Sequence, residues 1–330
     1  MDIIIESHIP FIKGLLEQRG HRVTYLPPEE ITPEAVRDVD TLIIRTRTRA
    51  CEALLAGSRV RHVITATIGT DHIDRTWCEA NGIRISNAPG CNAPAVAQYV
   101  IASIAAVKGG LEAMRGLTIG IVGVGHVGSI VEHWATTNGI RVLRNDPPRA
   151  AAEGADGFTD LATIAEEADV ITFHTPLDAT TYHLCGTELL EAVKRRPMII
   201  NAARGPVVDT CALIDALRSG RVSAAAIDCW EGEPNVNREL LALAAIATPH
   251  VAGYSLEGKQ RASAMAAVAA AGSVRAEIPP VAMSPTLSEI IESYDPIADT
   301  KALKSAPDDF ESLRNCYNYR TEPCDNRHIL

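Results

Sequence analysis

Three charged residues in the second half of the chain each follow directly on a short apolar run. Arg204 lies in Asn201-Ala-Ala-Arg-Gly-Pro206, Glu233 in Asp228-Cys-Trp-Glu-Gly-Glu-Pro234, and His250 in Thr248-Pro-His-Val-Ala-Gly-Tyr254. Singly, each has an ordinary explanation: a surface turn, the start of a helix, a structural histidine. As a set they supply an imidazole, a carboxylate and a guanidinium. Taking a hydride from a C–OH group requires a base for the hydroxyl proton, a cation to hold a carboxylate-bearing substrate, and a separate hydride acceptor. Charged residues just beyond the C-terminal ends of parallel strands would meet in the crevice where doubly wound sheets bind ligands.

The elements that must carry them are legible from pattern. Thr118–Val122 reads as a strand that runs into Gly123-Val-Gly-His-Val-Gly128, with a helical pattern after it. The first glycine makes the turn, the second admits a pyrophosphate, and the third lets helix and strand pack closely. The helix N-terminus then offers free N–H groups to the anion. Asp146 follows the next strand, Arg141–Leu143, where a carboxylate accepts ribose hydroxyls and selects NAD, although Arg144 and Arg149 beside it leave room for the 2′-phosphorylated form. Further strands are expected at Val170–His174, Met198–Asn201, Ala224–Ile227 and Ala245–Ala247. An earlier series, at Ile3–Ile5, Val23–Tyr25, Leu42–Ile44, Val63–Thr65 and Ile83–Ile85, has the short β-branched character of buried parallel strands.

The fold expected is therefore α/β, with two doubly wound parallel-sheet domains of Rossmann or flavodoxin-like type and a cleft between them. The first would comprise residues 1–92 and 255–280, the second, nucleotide-binding one residues 93–254. The helix at Pro94–Lys108 is apolar nearly all round, as where two domains meet. Residues 281–330 are polar and weakly periodic, and are expected to form a small accessory unit at a subunit contact.

Composition narrows the classes. A chain of 330 residues with net charge −10 lacks the basic footprint of a nucleic-acid binder. No run of about 18 apolar residues occurs, and the start of the chain reads as a strand, so neither a membrane span nor a signal peptide is expected. The eight cysteines are scattered without a C-x-x-C pair, which suggests reduced thiols in a cytoplasmic enzyme and no zinc site. An acidic protein that takes an anionic substrate must concentrate positive charge locally. Ile44-Arg-Thr-Arg-Thr-Arg-Ala50 does so, and extended chain would send Arg45, Arg47 and Arg49 to one side and Thr46 and Thr48 to the other.

With these motifs in this order, Met1 to roughly Ala271 resembles the D-isomer-specific 2-hydroxyacid dehydrogenases. The resemblance implies that His250 takes the hydroxyl proton, that Glu233 pairs with it and favours the imidazolium, and that Arg204 binds the substrate carboxylate. It implies cofactor contacts at Gly123, Gly125, His126, Val127, Gly128, Asp146, Thr175, Ala202, Ala203, Arg204, Asp228 and Gly253. Ala88-Pro-Gly-Cys-Asn-Ala93, Trp230-Glu-Gly-Glu-Pro234 and His250-Val-Ala-Gly-Tyr-Ser-Leu-Glu-Gly-Lys259 resemble the branch of the family that acts on a phosphorylated four-carbon acid. By that resemblance Thr46, Thr67 and Tyr254 contact the substrate, with Arg45 beside them, and the enzyme is a homodimer. The C-terminal unit is shorter than that branch implies. A relative acting on a phosphorylated three-carbon acid is the alternative within the same chemistry. An NAD-sensing binding protein of the corepressor kind is the alternative outside it.

Overall fold

The computed structural model describes residues 1–274 and 278–324. The end of the expected accessory unit, 325–330, and residues 275–277 of the expected first domain lie outside the described residues. The chain divides into two compact units, 1–92 with 255–281 and 93–254 with 282–330.

The first unit is built on a parallel sheet of β1 (Asp2–Glu6), β2 (Arg22–Leu26), β3 (Thr41–Ile44), β4 (His62–Thr65) and β5 (Arg84–Ser86), in the order β2-β1-β3-β4-β5. Every residue of β3 and β4 is buried, His62 included, as their mostly β-branched and apolar runs require when helices cover both faces. The helix Leu256–Ala271, capped by the Ser255 hydroxyl, belongs to this unit. It sends Ala266 and Ala267 into the core around Ile3, Ile5 and Ile64.

The second unit holds a six-stranded parallel sheet of β6 (Thr118–Val122), β7 (Arg141–Asn145), β8 (Val170–Phe173), β9 (Met198–Asn201), β10 (Ala224–Ile227) and β11 (Ile246–Ala247). Its order is β11-β10-β9-β8-β6-β7, so the connection direction reverses between β6 and β8. That reversal opens the crevice in which doubly wound sheets bind ligands.

The helix Ala93–Lys108 buries all of its residues from Ala93 to Ala105. Its cover within its own unit comes from the helix His126–Thr137 and from two C-terminal helices, Leu287–Glu292 and Pro296–Ser305. Leu287, Ile290 and Tyr294 join the core on one face of the sheet, and Leu303 and Phe310 join the core on the other. The described part of the C-terminal segment thus packs into the second unit, whereas the weak periodicity of residues 281–330 suggests a separate one. Its helices are too short to show a period, and the sheet's own core supplies their apolar partners.

Candidate active site

The three loops that carry Arg204, Glu233 and His250 leave adjacent strands at one edge of the sheet, since Asn201 is in register with Ile227 and Ile227 with Ala247. Two buried polar side chains lash these loops together. Asn201 Nδ2 donates to Arg204 O at 3.0 Å, Gly205 O at 3.3 Å and Cys229 O at 3.2 Å, joining the loops after β9 and β10. Asp228 Oδ1 accepts the Thr248 hydroxyl at 2.6 Å and the N–H groups of Val251 at 2.7 Å and Ala252 at 3.0 Å, joining the loops after β10 and β11. Asp228 is only 1% exposed, so its visible work is to hold the histidine loop. Gly205 allows the first of these junctions to be tight, because a Cβ there would stand 2.1 Å from Trp230 O.

His250 sits in the left-handed region, φ 56°, a conformation that costs a non-glycine residue about 1–3 kcal/mol and persists only where the surroundings impose it. Its N–H donates to Asp228 O at 3.0 Å. Its Nδ1 lies 2.7 Å from Glu233 Oε1, and the second carboxylate oxygen accepts the Trp230 N–H at 3.2 Å. A carboxylate only accepts, so Nδ1 carries the proton and Nε2 is the basic nitrogen.

Burial alone would lower the pKa of His250, but the adjoining Cys229 sulfur and the Glu233 carboxylate outweigh it and raise the group well above its ordinary 6.5. Burial pushes the Cys229 thiol up, so the negative charge that matters is that of Glu233. For Glu233, burial is outweighed by the bonds from His250 and Trp230 and by the nearby Arg314 guanidinium, which together keep the carboxyl below its usual value. Arg204 is extended at the start of its loop, with Nη1 donating to Ala203 O at 2.8 Å. Ala203 is buried, while Ala202 and Gly253 are half-buried beside the tied loops.

At the crevice, the glycine loop fits a dinucleotide on its own geometry. A Cβ on Gly128 would fall 2.1 Å from Gly123 O, whereas one on Gly125 would meet nothing within 4 Å. The exposed Gly125 and His126 open the helix His126–Thr137, which has no side-chain cap, and Val127 is half-buried behind them. Across the β6/β8 reversal, Thr175 Oγ1 is buried with no hydrogen-bond partner among the described residues, a hydroxyl that fits a polar group of a dinucleotide. Asp146 accepts the Val124 N–H at 2.8 Å and the Arg149 N–H at 3.0 Å on different oxygens, which leaves each a further lone pair for a ribose hydroxyl. Arg144 is paired with Glu132 and Arg149 with Glu153, so neither cation beside Asp146 stands unpaired for a 2′-phosphate.

In the first unit the Arg45–Arg49 stretch is a turn. Thr48 N–H donates to Arg45 O, and buried Glu6 accepts the Arg45 N–H at 2.9 Å and the Thr48 hydroxyl at 3.0 Å. The alternation expected of extended chain is therefore replaced: Thr48 points into the core and Thr46 is exposed with Arg47 and Arg49. Nothing in the spacing of the arginines reveals a buried carboxylate 39 residues earlier that folds them into a turn. Thr67 Oγ1 donates to Gly69 O at 2.9 Å and lies 2.6 Å from Thr65 Oγ1. Its proton is thus committed inward, and an incoming group meets its lone pair.

Tyr254 closes the histidine loop, with Arg314 Nε 3.3 Å from its hydroxyl and the edges of Tyr317 and Tyr319 against its ring. Arg314, Asn201 and the tyrosines of the C-terminal segment lie outside the residues to which the motifs assign a role. Only Asn201, buried directly before the Arg-Gly turn, carried a local signal.

Residues 104–252 match the family model described as D-isomer specific 2-hydroxyacid dehydrogenase, NAD binding domain. The solved structure of cofactor (NAD+) bound 3-phosphoglycerate dehydrogenase in Entamoeba histolytica superposes with a TM-score of 0.70 at 27% identity, covering 85% of this chain and 99% of that one. The chain belongs to the D-isomer specific 2-hydroxyacid dehydrogenase family and is an NAD-dependent oxidoreductase. Within that family it is 45% identical to the erythronate-4-phosphate dehydrogenase of Bacteroides thetaiotaomicron, over 98% of this chain and 97% of the relative. It is 39% identical to the enzyme of the same name from Porphyromonas gingivalis, over 98% and 94%.

Proposed function

We propose that this enzyme oxidises 4-phospho-D-erythronate with NAD to 2-oxo-3-hydroxy-4-phosphobutanoate, a step towards pyridoxal 5′-phosphate, and that it works as a cytoplasmic homodimer. The identity to relatives of that name along nearly the whole chain carries the choice of acid. The free state of all eight cysteines supports the compartment.

Nicotinamide, when bound, accepts the hydride from C2. His250 Nε2 takes the C2 hydroxyl proton, and Glu233 holds the ring and stabilises the imidazolium that forms. Arg204 grips the C1 carboxylate, for which a planar guanidinium has matching geometry. Arg45, Thr46, Thr67 and Tyr254 are the substrate-binding residues. Gly123–Gly128, Asp146, Thr175, Ala202, Ala203, Asp228 and Gly253 are the cofactor contacts.

A screen of D-2-hydroxy acids with NAD, followed at 340 nm, tests the reading. The largest kcat/KM is expected for 4-phosphoerythronate. A large preference for 3-phosphoglycerate, or NAD binding without turnover of any acid, overturns it.

A further inference from the structure

Beyond the motifs, a residue of the C-terminal segment grips the histidine loop. Arg320 Nη1 donates to Val251 O at 3.0 Å and Tyr254 O at 3.3 Å. Its Nη2 donates to Ala95 O at 3.0 Å and to Ala252 O. Its Nε donates to Gln98 Oε1 at 2.8 Å, and its Cζ lies 4.1 Å from the centroid of the Tyr294 ring. Gln98 is fully buried and spends its amide on Ser293 Oγ and Thr321 O, so its oxygen must face the guanidinium. Among the described residues Arg320 makes no ion pair. Its charge is met by carbonyl dipoles and an aromatic face.

The pattern complements that of Asp228. The carboxylate collects the N–H groups of Val251 and Ala252, and the guanidinium collects the carbonyls of Val251, Ala252 and Tyr254. Three of the four residues after His250 are thus held by opposite charges acting on opposite backbone groups. A left-handed non-glycine residue stays in place only where its neighbours over-determine it, and the 2.7 Å contact to Glu233 depends on that placement.

We propose that Arg320 is a positioning residue for His250, which makes the C-terminal segment part of the catalytic apparatus. The proposal rests on the reading of His250 as the base. A lysine cannot substitute, since one ammonium with three donors cannot span these carbonyls and the Gln98 oxygen.

The test compares wild type with Arg320→Lys and Arg320→Ala by three measurements: steady-state kinetics, NADH fluorescence titration, and NMR titration of the His250 ring. The groups facing His250 and Glu233, namely Asp228, Cys229 and Arg314, are left intact. Both variants are expected to lose roughly 10- to 100-fold in kcat, as for a base displaced by an ångström, with NADH affinity within about twofold. The His250 midpoint is expected to fall towards 6.5. Guanidinium ion added to Arg320→Ala is expected to restore part of the turnover.

Wild-type kcat and an unchanged His250 titration in folded Arg320→Lys overturn the proposal. So does equal loss of NADH binding and turnover, or loss of fold in both variants, since either marks a general structural role. If wild type itself fails to oxidise the acid, the functional reading fails, while the ring titration still decides the role of Arg320.

Discussion

At the scale of single residues, the pair formed by His250 and Glu233 is expected to set the pH response of the proposed reaction. Oxidation needs the neutral imidazole, so its rate is expected to rise with pH through the raised His250 pKa, well above 6.5. The reverse reaction needs the imidazolium and is expected to fall over the same range. Glu233→Gln keeps the shape and removes the charge. We expect the midpoint for oxidation to move to lower pH and kcat to drop by roughly 10²-fold, measured from pH–rate profiles in both directions. An unmoved midpoint would show that the charge resides elsewhere. The sign for stability follows the same pair. The raised His250 pKa contributes stability that is full below about 6.5 and is lost as pH climbs through its folded value. The lowered Glu233 pKa contributes above about 4.5 and is lost as pH falls.

At the scale of elements, the loops after β9, β10 and β11 act together because their backbones touch. Gly205→Ala would press a methyl group against Trp230 O, an overpacking that costs about 1–3 kcal/mol. It would also move Arg204 relative to its neighbours. A lower melting temperature and a fall in kcat/KM for the acid of about 10- to 100-fold are expected, with NADH binding retained. Calorimetry and fluorescence titration check this, and an unaltered kcat/KM would dissociate Arg204 from the turn.

The strands, the glycine loop and the three charged residues were legible because each sits in a local pattern, an apolar run followed by turn chemistry. The Arg45–Arg49 turn was not, because Glu6 decides it from a distant strand. Arg320 was not, because its partners are carbonyls, which every sequence possesses and none advertises. Asp228 was noted for a cofactor contact, yet its burial shows a role in holding the histidine loop that only three-dimensional neighbours disclose.

At the scale of the whole molecule, the C-terminal segment has its own apolar residues engaged with the nucleotide-binding unit, among them Leu287, Ile290 and Phe310. Met283, near the start of that segment, stands 66% exposed. A large apolar side chain left in water is a position at which to test for a partner surface. We expect light scattering to give the mass of two chains, and Met283→Glu to shift the protein towards a single-chain mass. A wild-type mass of one chain would remove the dimer from the reading.

The lashings made by Asn201 and Asp228 also bear on how such an enzyme changes its preferences. Residues that share hydrogen-bond partners respond non-additively to replacement, so substitutions among the loops after β9, β10 and β11 will be strongly epistatic. A library spread over Arg204, Cys229 and Val251 would mostly yield dead clones, whatever substrate was selected for. The exposed positions Thr46, Arg47 and Arg49 are side chains on a turn whose backbone is fixed from beneath by Glu6. Neither Glu6 bond uses the side chain of Thr46 or Arg49, and evolvability for new acids is expected to lie at those two positions.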